Sequence, residues 1–129
     1  MKFEDFREET TVKFSVDDEK YVIAKLKDVP EFSDEVFCII RDRNEVTVVA
    51  KERLRLKSTS EEKHYKLITF NVKLPFELTG FLSRVSTLLA EKSIPILAFS
   101  AYSTDHLLVK EENLHDAVEA LEKDGMVML

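Results

Sequence analysis

Residues 65–90, YKLITFNVKLPFELTGFLSRVSTLLA, carry the clearest structural pattern of the chain. The first ten of these residues alternate apolar and polar side chains, with Ile68 and Phe70 on the same side. Alternation of this length is typical of a half-buried strand, and Pro75 blocks its continuation. From Phe81 onward the apolar residues recur at helical spacing instead. The stretch therefore predicts a strand, a loop and an amphipathic helix.

The rest of the second half continues this organisation. The first helix is expected to end near residues 91–93, and strand-like runs follow at 94–102 and 106–110. A second helix is predicted from residues 111–113, and Gly125 suits the left-handed position that ends a helix. The last four residues then form a final strand. Strand, helix, strand, strand, helix, strand is the split βαβ, or ferredoxin-like, order, with both helices on one face of an antiparallel sheet.

The first half gives weaker signals. Strands are predicted at 12–16 and 21–26 around an acidic turn at 17–20, and a hairpin at 36–50. Residues 51–57 are expected to form a short helix. This layout is that of a reduced copy of the second half.

A polar stretch at residues 58–64 is the natural boundary between the halves. The predicted fold class is α+β, with two ferredoxin-like βαββαβ units. Residues 1–64 form the degenerate unit and residues 65–129 the clear one.

Charge and composition exclude several classes of protein. The 129 residues carry a net charge of −6, whereas nucleic-acid binders usually show a basic surface. The basic residues between 41 and 57 are interleaved with acids, which is typical of a solvated face. We therefore expect no nucleic-acid partner. With only two glycines and three prolines, the chain is expected to fold almost from end to end.

The compartment is predicted from cysteine usage and hydropathy. Cys38 is the only cysteine, lies in an apolar run, and is expected to be a buried, inert thiol. The N-terminus lacks the apolar stretch of a signal peptide, and no uncharged apolar run is long enough to span a bilayer. These features predict a cytoplasmic protein without a membrane partner.

No residue set in the sequence predicts catalysis, a metal or a cofactor. His64, His106 and His115 have no metal-ligand spacing with each other or with Cys38. RNA-recognition modules share the strand order but need aromatic residues on both central strands. The glycine-rich anion loop of small acyl-phosphate hydrolases and the Cys-x-x-Cys of metal chaperones are also missing. The chain is predicted not to be an enzyme.

Two loops carry the residue types that suit a zwitterion. The helix N-terminus offers the unpaired N–H groups of Gly80, Phe81 and Leu82 to a carboxylate. Asp105, after the second strand, could accept hydrogen bonds from an ammonium group. In the alternative interpretation, Thr79 is the N-cap of the helix, and Thr104 and Asp105 only shape a turn. The residue types alone do not distinguish a ligand-binding role from this structural one. Four phenylalanines are expected in the core: Phe70, Phe76, Phe81 and Phe99.

The segments LPFELTGFL at 74–82 and SAYSTDHLLVKE at 100–111 resemble ACT domains. The subgroup that they resemble pairs a degenerate ACT-like half with a clear one. It is similar to the regulatory domains of aspartate kinases and to the cytosolic arginine sensors of animals.

The resemblance implies a non-catalytic regulatory protein that binds a small molecule, usually an amino acid. It also implies a homodimer, because ACT-like units tend to pair side by side. Relatives hold the ligand where the first strand meets the first helix, beside the second strand of a neighbouring unit. The implied ligand-binding residues here are Glu77, Thr79, Gly80, Phe81, Leu82, Tyr102, Ser103, Thr104 and Asp105. The competing hypothesis is an interaction module that oligomerises through its sheets without a ligand.

Overall fold

The computed structural model describes residues 1–129 and divides into two compact units. Unit 1 comprises Met1–Asp17 and Lys66–Leu129, and unit 2 comprises Asp18–Tyr65. None of the helices is both long and apolar enough to cross a membrane. In chain order the elements are α1 (Phe3–Glu9), β1 (Lys13–Leu26), β2 (Val36–Arg41), β3 (Val46–Lys51), β4 (Ser58–Phe70), α2 (Phe81–Glu91), β5 (Leu97–Ser100), β6 (Asp105–Lys110), a 3₁₀ turn (Glu111–Asn113), α3 (Leu114–Lys123) and β7 (Val127–Met128).

The sheet of unit 1 has the strand order β7-β1-β4-β6-β5. β5 and β6 form an antiparallel pair, whereas β7 runs parallel to β1, with Lys13 opposite Val127. Within unit 1, β1 also neighbours β4, and the N–H of Asn71, just past the end of β4, donates to the carbonyl of Lys13 at 2.7 Å. Residues 1–17, which the sequence analysis assigned to the N-terminal half, therefore lie in the unit of the C-terminal half.

The core of unit 1 lies between the two longer helices and one face of this sheet. Phe81, Val85 and Leu89 of α2 belong to the same buried cluster as Phe70 of β4 and Leu121 of α3. The ring of Phe81 lies edge-on to that of Phe70, with 5.1 Å between the centroids. Both helices thus bury their apolar stripes against the sheet, as the helical spacing predicted. An α+β architecture with helices on a largely antiparallel sheet is confirmed.

Helix α1 has no counterpart among the elements predicted from the sequence. The ring of Phe3 is buried and contacts that of Phe81 edge-on, at 5.1 Å between centroids. The guanidinium of Arg7 lies over the ring of Phe3. The seven residues of α1 are too few to show helical periodicity, so packing on α2 rather than helix propensity accounts for this element.

Unit 2 contains strands only, in the order β2-β3-β1-β4. The predicted hairpin of β2 and β3 is confirmed, and Asp42 closes its turn by accepting hydrogen bonds from the N–H groups of Asn44 and Glu45. The helix predicted at residues 51–57 is wrong. A turn closed by Leu54 N–H to Lys51 O at 3.0 Å takes its place, because Leu54 packs on the core of this unit.

The predicted turn at residues 17–20 is also wrong, because β1 continues through it as one strand of 14 residues. Charged residues at 17–20 are tolerated because each remains at least partly exposed. Unit 2 has no helix, so it matches a βαββαβ unit in its strands alone. Its relation to unit 1 as a degenerate copy stays a prediction.

Candidate functional site

Unit 1 contains a cavity of about 300 Å³ between the β4–α2 loop and the β5–β6 turn. These two segments contain the ligand-binding residues predicted from the sequence. The structure brings seven of the nine predicted ligand-binding residues to the wall of this cavity: Gly80, Phe81, Leu82, Tyr102, Ser103, Thr104 and Asp105.

Three backbone hydrogen bonds shape the cavity. The N–H of Leu74, just after β4, donates to the carbonyl of Ser103 at 2.8 Å and ties the two loops together. Within the first loop, the N–H of Leu78 donates to the carbonyl of Pro75 at 3.0 Å. Within the second loop, the N–H of Ala101 donates to the carbonyl of Thr104 at 2.8 Å. Both loops are therefore turns held by their own backbone, so the cavity does not depend on a bound molecule for its walls.

The N-terminus of α2 opens into this cavity without a side-chain cap. Gly80 is the N-cap residue, with φ at 97°, a left-handed conformation that favours glycine. The first intrahelical bond runs from the N–H of Arg84 to the carbonyl of Gly80, so the N–H groups of Phe81, Leu82 and Ser83 have no partner within the helix. These N–H groups and the helix dipole favour an anion at this position.

The predicted N-cap Thr79 is wrong, because its backbone is used elsewhere. The N–H of Thr79 donates to the carbonyl of Met1 at 2.8 Å, and its carbonyl accepts from Phe3 at 2.8 Å. The hydroxyl of Thr79 also donates to Met1, at 3.2 Å. Thr79 and Glu77 are the two predicted ligand-binding residues that do not line the cavity, and both are exposed.

Asp105 supplies the only charged side chain of the cavity wall. It is half-buried at the start of β6, and no hydrogen bond or ion pair within the protein occupies its carboxylate. The neighbouring His106 fixes the β6 side of the turn by two side-chain hydrogen bonds. Its Nδ1 lies 2.9 Å from Oγ1 of Thr69, and its Nε2 lies 3.3 Å from Oγ1 of Thr104. Burial lowers the pKa of His106, and the charge of Asp105 only partly opposes this effect.

An exposed aromatic pair stands in the same wall. Phe76 and Tyr102 are 75% and 81% exposed, and their rings meet edge to face with 4.7 Å between centroids. The expectation that Phe76 belongs to the core is wrong, because it follows Pro75 in a loop outside both apolar stripes. Phe70 and Phe81 are buried as expected, and Phe99 is half-buried.

A larger cavity, of about 460 Å³, lies in unit 2 and contains none of the predicted residues. Its wall is highly charged, but Arg53 is held by Glu35 at 2.7 Å and Lys63 by Glu61 at 3.4 Å. Arg53 and Lys63 are therefore paired within the protein, and Arg55 is the remaining cation of this wall. The smaller cavity, where an uncapped helix end and a free carboxylate lie together, is the better candidate.

Comparison with known proteins places this site in a recognised domain. Residues 60–123 match the family model of the ACT domain. No curated protein sequence matches the chain.

Solved structures share the fold. A structural-genomics target from Agrobacterium tumefaciens is 24% identical with a TM-score of 0.80, covering 93% of each chain. A Vibrio cholerae protein of unknown function, described as a possible transport protein, is 25% identical with a TM-score of 0.69, covering 88% of this chain and 89% of that one. The ligand-free regulatory subunit of aspartate kinase from Thermus thermophilus is 11% identical with a TM-score of 0.61, covering 85% of this chain and 94% of that one.

Proposed function

We propose that this chain, an ACT-domain protein by the match of residues 60–123, is a non-catalytic regulatory protein that binds a free amino acid in the cavity of unit 1. ACT domains are generally regulatory modules that bind small ligands, and a regulatory subunit of aspartate kinase shares the fold. The proposal assigns binding and no reaction to the chain.

The observation that carries the proposal is the position of two opposite partners around one small cavity. The uncapped N-terminus of α2 favours a carboxylate, and the unpaired carboxylate of Asp105 favours an ammonium group. A free α-amino acid presents both groups a few bonds apart. A volume of about 300 Å³ is at the lower end of the range for ligand pockets, which suits one small molecule.

The first experiment is a thermal-shift screen of the full chain against the twenty amino acids and common nucleotides. A ligand present at 100 times its dissociation constant should stabilise the protein by about 2.7 kcal/mol. The hit is then titrated by calorimetry. Binding of nucleotides in preference to amino acids would contradict the proposal.

The variant that tests the site is Asp105→Asn, which removes the charge while keeping the size of the side chain. Loss of a charge-assisted hydrogen bond should weaken binding by roughly 10- to 150-fold. The matched control is Asp116→Asn, an exposed aspartate of α3 that does not line the cavity. Equal affinities of Asp105→Asn and the wild type would place the ligand elsewhere.

The competing function is an interaction module that oligomerises without a ligand. Absence of saturable amino-acid binding together with a stable oligomer would favour it. The proposal keeps the cytoplasm as the compartment, in line with a chain that has a single cysteine and therefore no internal disulfide.

A further inference from the structure

The exposed pair of Phe76 and Tyr102 has no role in the hydrophobic core. Neither ring belongs to the buried cluster of unit 1 or packs against it. Each is held at the tip of a loop by a backbone turn, and the Leu74–Ser103 hydrogen bond fixes the two loops together. The rings are thus presented to the cavity by two loops tied at their bases.

The charges of the cavity limit what can lie against these rings. No lysine, arginine or histidine lines the cavity, so the carboxylate of an acidic side chain would find no cationic partner there. Asp105 is the one acid, and the proposed function uses it for the α-ammonium group. A ligand with a cationic side chain would therefore find no second carboxylate in the cavity wall to pair with that side chain.

The remaining wall combines aliphatic side chains with the hydroxyl groups of Ser83, Ser100, Ser103 and Thr104. Leu74, Pro75 and Leu78 come from the β4–α2 loop, and Leu82, 39% exposed, comes from the first turn of α2. An apolar side chain placed here would cover ring and aliphatic surface that is otherwise wetted, which is favourable in proportion to the area removed from water. An aromatic side chain would add ring–ring contacts.

Resting on the proposed function, we propose that the bound amino acid has a large apolar or aromatic side chain that packs against Phe76 and Tyr102. These two residues then set the specificity, while the N-terminus of α2 and Asp105 hold the carboxylate and ammonium groups common to all amino acids. The loop tip positions of both rings make the selection independent of the folding core.

The test is calorimetric titration of the full chain with leucine, phenylalanine, alanine, aspartate and lysine. Leucine or phenylalanine should bind at least about tenfold more tightly than aspartate, lysine or alanine. Phe76→Ala and Tyr102→Ala should each weaken binding of the preferred amino acid by about tenfold and leave that of alanine unchanged. The matched control is Phe32→Ala, because Phe32 is 66% exposed and lies in unit 2.

The outcomes separate this inference from the proposed function. Preferred binding of aspartate or lysine, with affinity sensitive to Asp105→Asn, overturns the inference and leaves the proposed function intact. Failure of every amino acid to bind overturns both. If Tyr102→Ala leaves affinity unchanged but lowers the sedimentation coefficient, the rings belong to an interface between copies and the inference is also overturned.

Discussion

Ser93 occupies a backbone position that suits glycine. Its φ is 58°, and it ends α2 through hydrogen bonds from Ser93 N–H to Ala90 at 2.9 Å and from Ile94 N–H to Leu89 at 3.0 Å. Gly125 ends α3 in the same way, with a left-handed backbone and the equivalent hydrogen bonds. This is the Schellman arrangement, in which a side chain at the left-handed residue is strained.

Ser93→Gly should therefore raise the free energy of unfolding by about 0.5–1 kcal/mol, because relief of strain outweighs the added freedom of the unfolded chain. Ser93 is exposed, so no packing is lost. Urea denaturation measures the change. Ser86→Gly, in the middle of α2, is the control and should destabilise by about 0.5 kcal/mol. Destabilisation by Ser93→Gly would contradict the assigned geometry.

His106 should make the protein less stable in mild acid. Burial lowers its pKa in the folded state below the ordinary value of about 6.5, so the unfolded state binds more protons between the two values. The stabilisation is complete above that ordinary value and is lost as the pH falls toward the folded-state pKa. Urea midpoints at pH 7.5 and 5.5 measure this loss. In His106→Gln the loss should be smaller, and an equal loss would assign it to other groups.

The residues of the site differ in how far the sequence could predict them. Gly80 and Asp105 were predictable because a glycine before a helical stripe and an acid after a strand have local meanings. The pairing of Phe76 with Tyr102 was not, because the two residues are far apart in sequence and meet only through the loop geometry. Thr79 was misassigned because its partners are Met1 and Phe3, at the other end of the chain.

Helix α2 carries two consecutive leucines with different roles. Leu89 is fully buried, whereas Leu88 is half-buried at the edge of the same cluster. Leu89→Ala should cost about 2–5 kcal/mol of unfolding free energy, because it removes core volume that the neighbours cannot refill. Leu88→Ala should cost about 1 kcal/mol. Chemical denaturation of the two variants tests the orientation of α2, and equal costs would show that the helix is rotated.

The ends of three helices meet at one carboxylate. Asp124, whose side chain is only 8% exposed, accepts from the guanidinium groups of Arg84 in α2 and Arg7 in α1. Arg7 also donates to the backbone carbonyl of Asp124. Burial alone would raise the pKa of Asp124, but the bonds from the two arginines outweigh it and lower the pKa.

Asp124→Asn should destabilise the protein by about 1–3 kcal/mol at neutral pH, because two part-buried guanidinium groups lose their anion. The stabilisation by Asp124 is present above the ordinary aspartate pKa and is lost as the pH falls through the folded-state value. Wild type and variant should therefore converge in acid. The control Glu119→Gln removes an exposed ion pair with Lys123 and should leave the stability almost unchanged. Urea titrations at pH 7 and pH 3 measure both effects.

Among the elements, those with long periodic patterns were predictable and those set by distant contacts were not. Helices α2 and α3 carry stripes with clear ends, and both lie where the spacing placed them, although a 3₁₀ turn over residues 111–113 precedes α3. The N-terminal α1 was missed because its packing on α2 is not visible locally. The sequence predicted two strands in place of β1, because the four charged residues at 17–20 resemble a turn. In the structure these residues belong to the strand.

On the scale of the whole molecule, the sequence boundary near residue 64 lies close to the change of unit after Tyr65. The assignment of residues 1–17 to unit 1 could not be predicted. It depends on β1 pairing with β7, a strand more than one hundred residues away, and a two-residue strand such as β7 has almost no sequence signal. Long-range strand pairing of this kind is a property of the complete fold.

The remaining prediction concerns self-association through the edges of the unit 1 sheet. β5 pairs only with β6, so the backbone groups on its outer side are free to pair with another chain. β7, at the opposite edge, has two residues and offers little length for pairing. We therefore expect a homodimer that forms along β5. Sedimentation velocity at tens of micromolar, on the order of ordinary homodimer affinities, should give the mass of two chains.

Two lysine substitutions distinguish the edges. Ala98 lies in β5 and Val127 in β7, and both are exposed in the single chain. A lysine on a strand edge discourages pairing because its charge would have to be desolvated or face its symmetry mate. Ala98→Lys should shift the chain toward monomer at the same concentration, whereas Val127→Lys should leave the dimer intact. A monomer in the wild type would refute self-association, and dissociation by Val127→Lys alone would place the interface at β7.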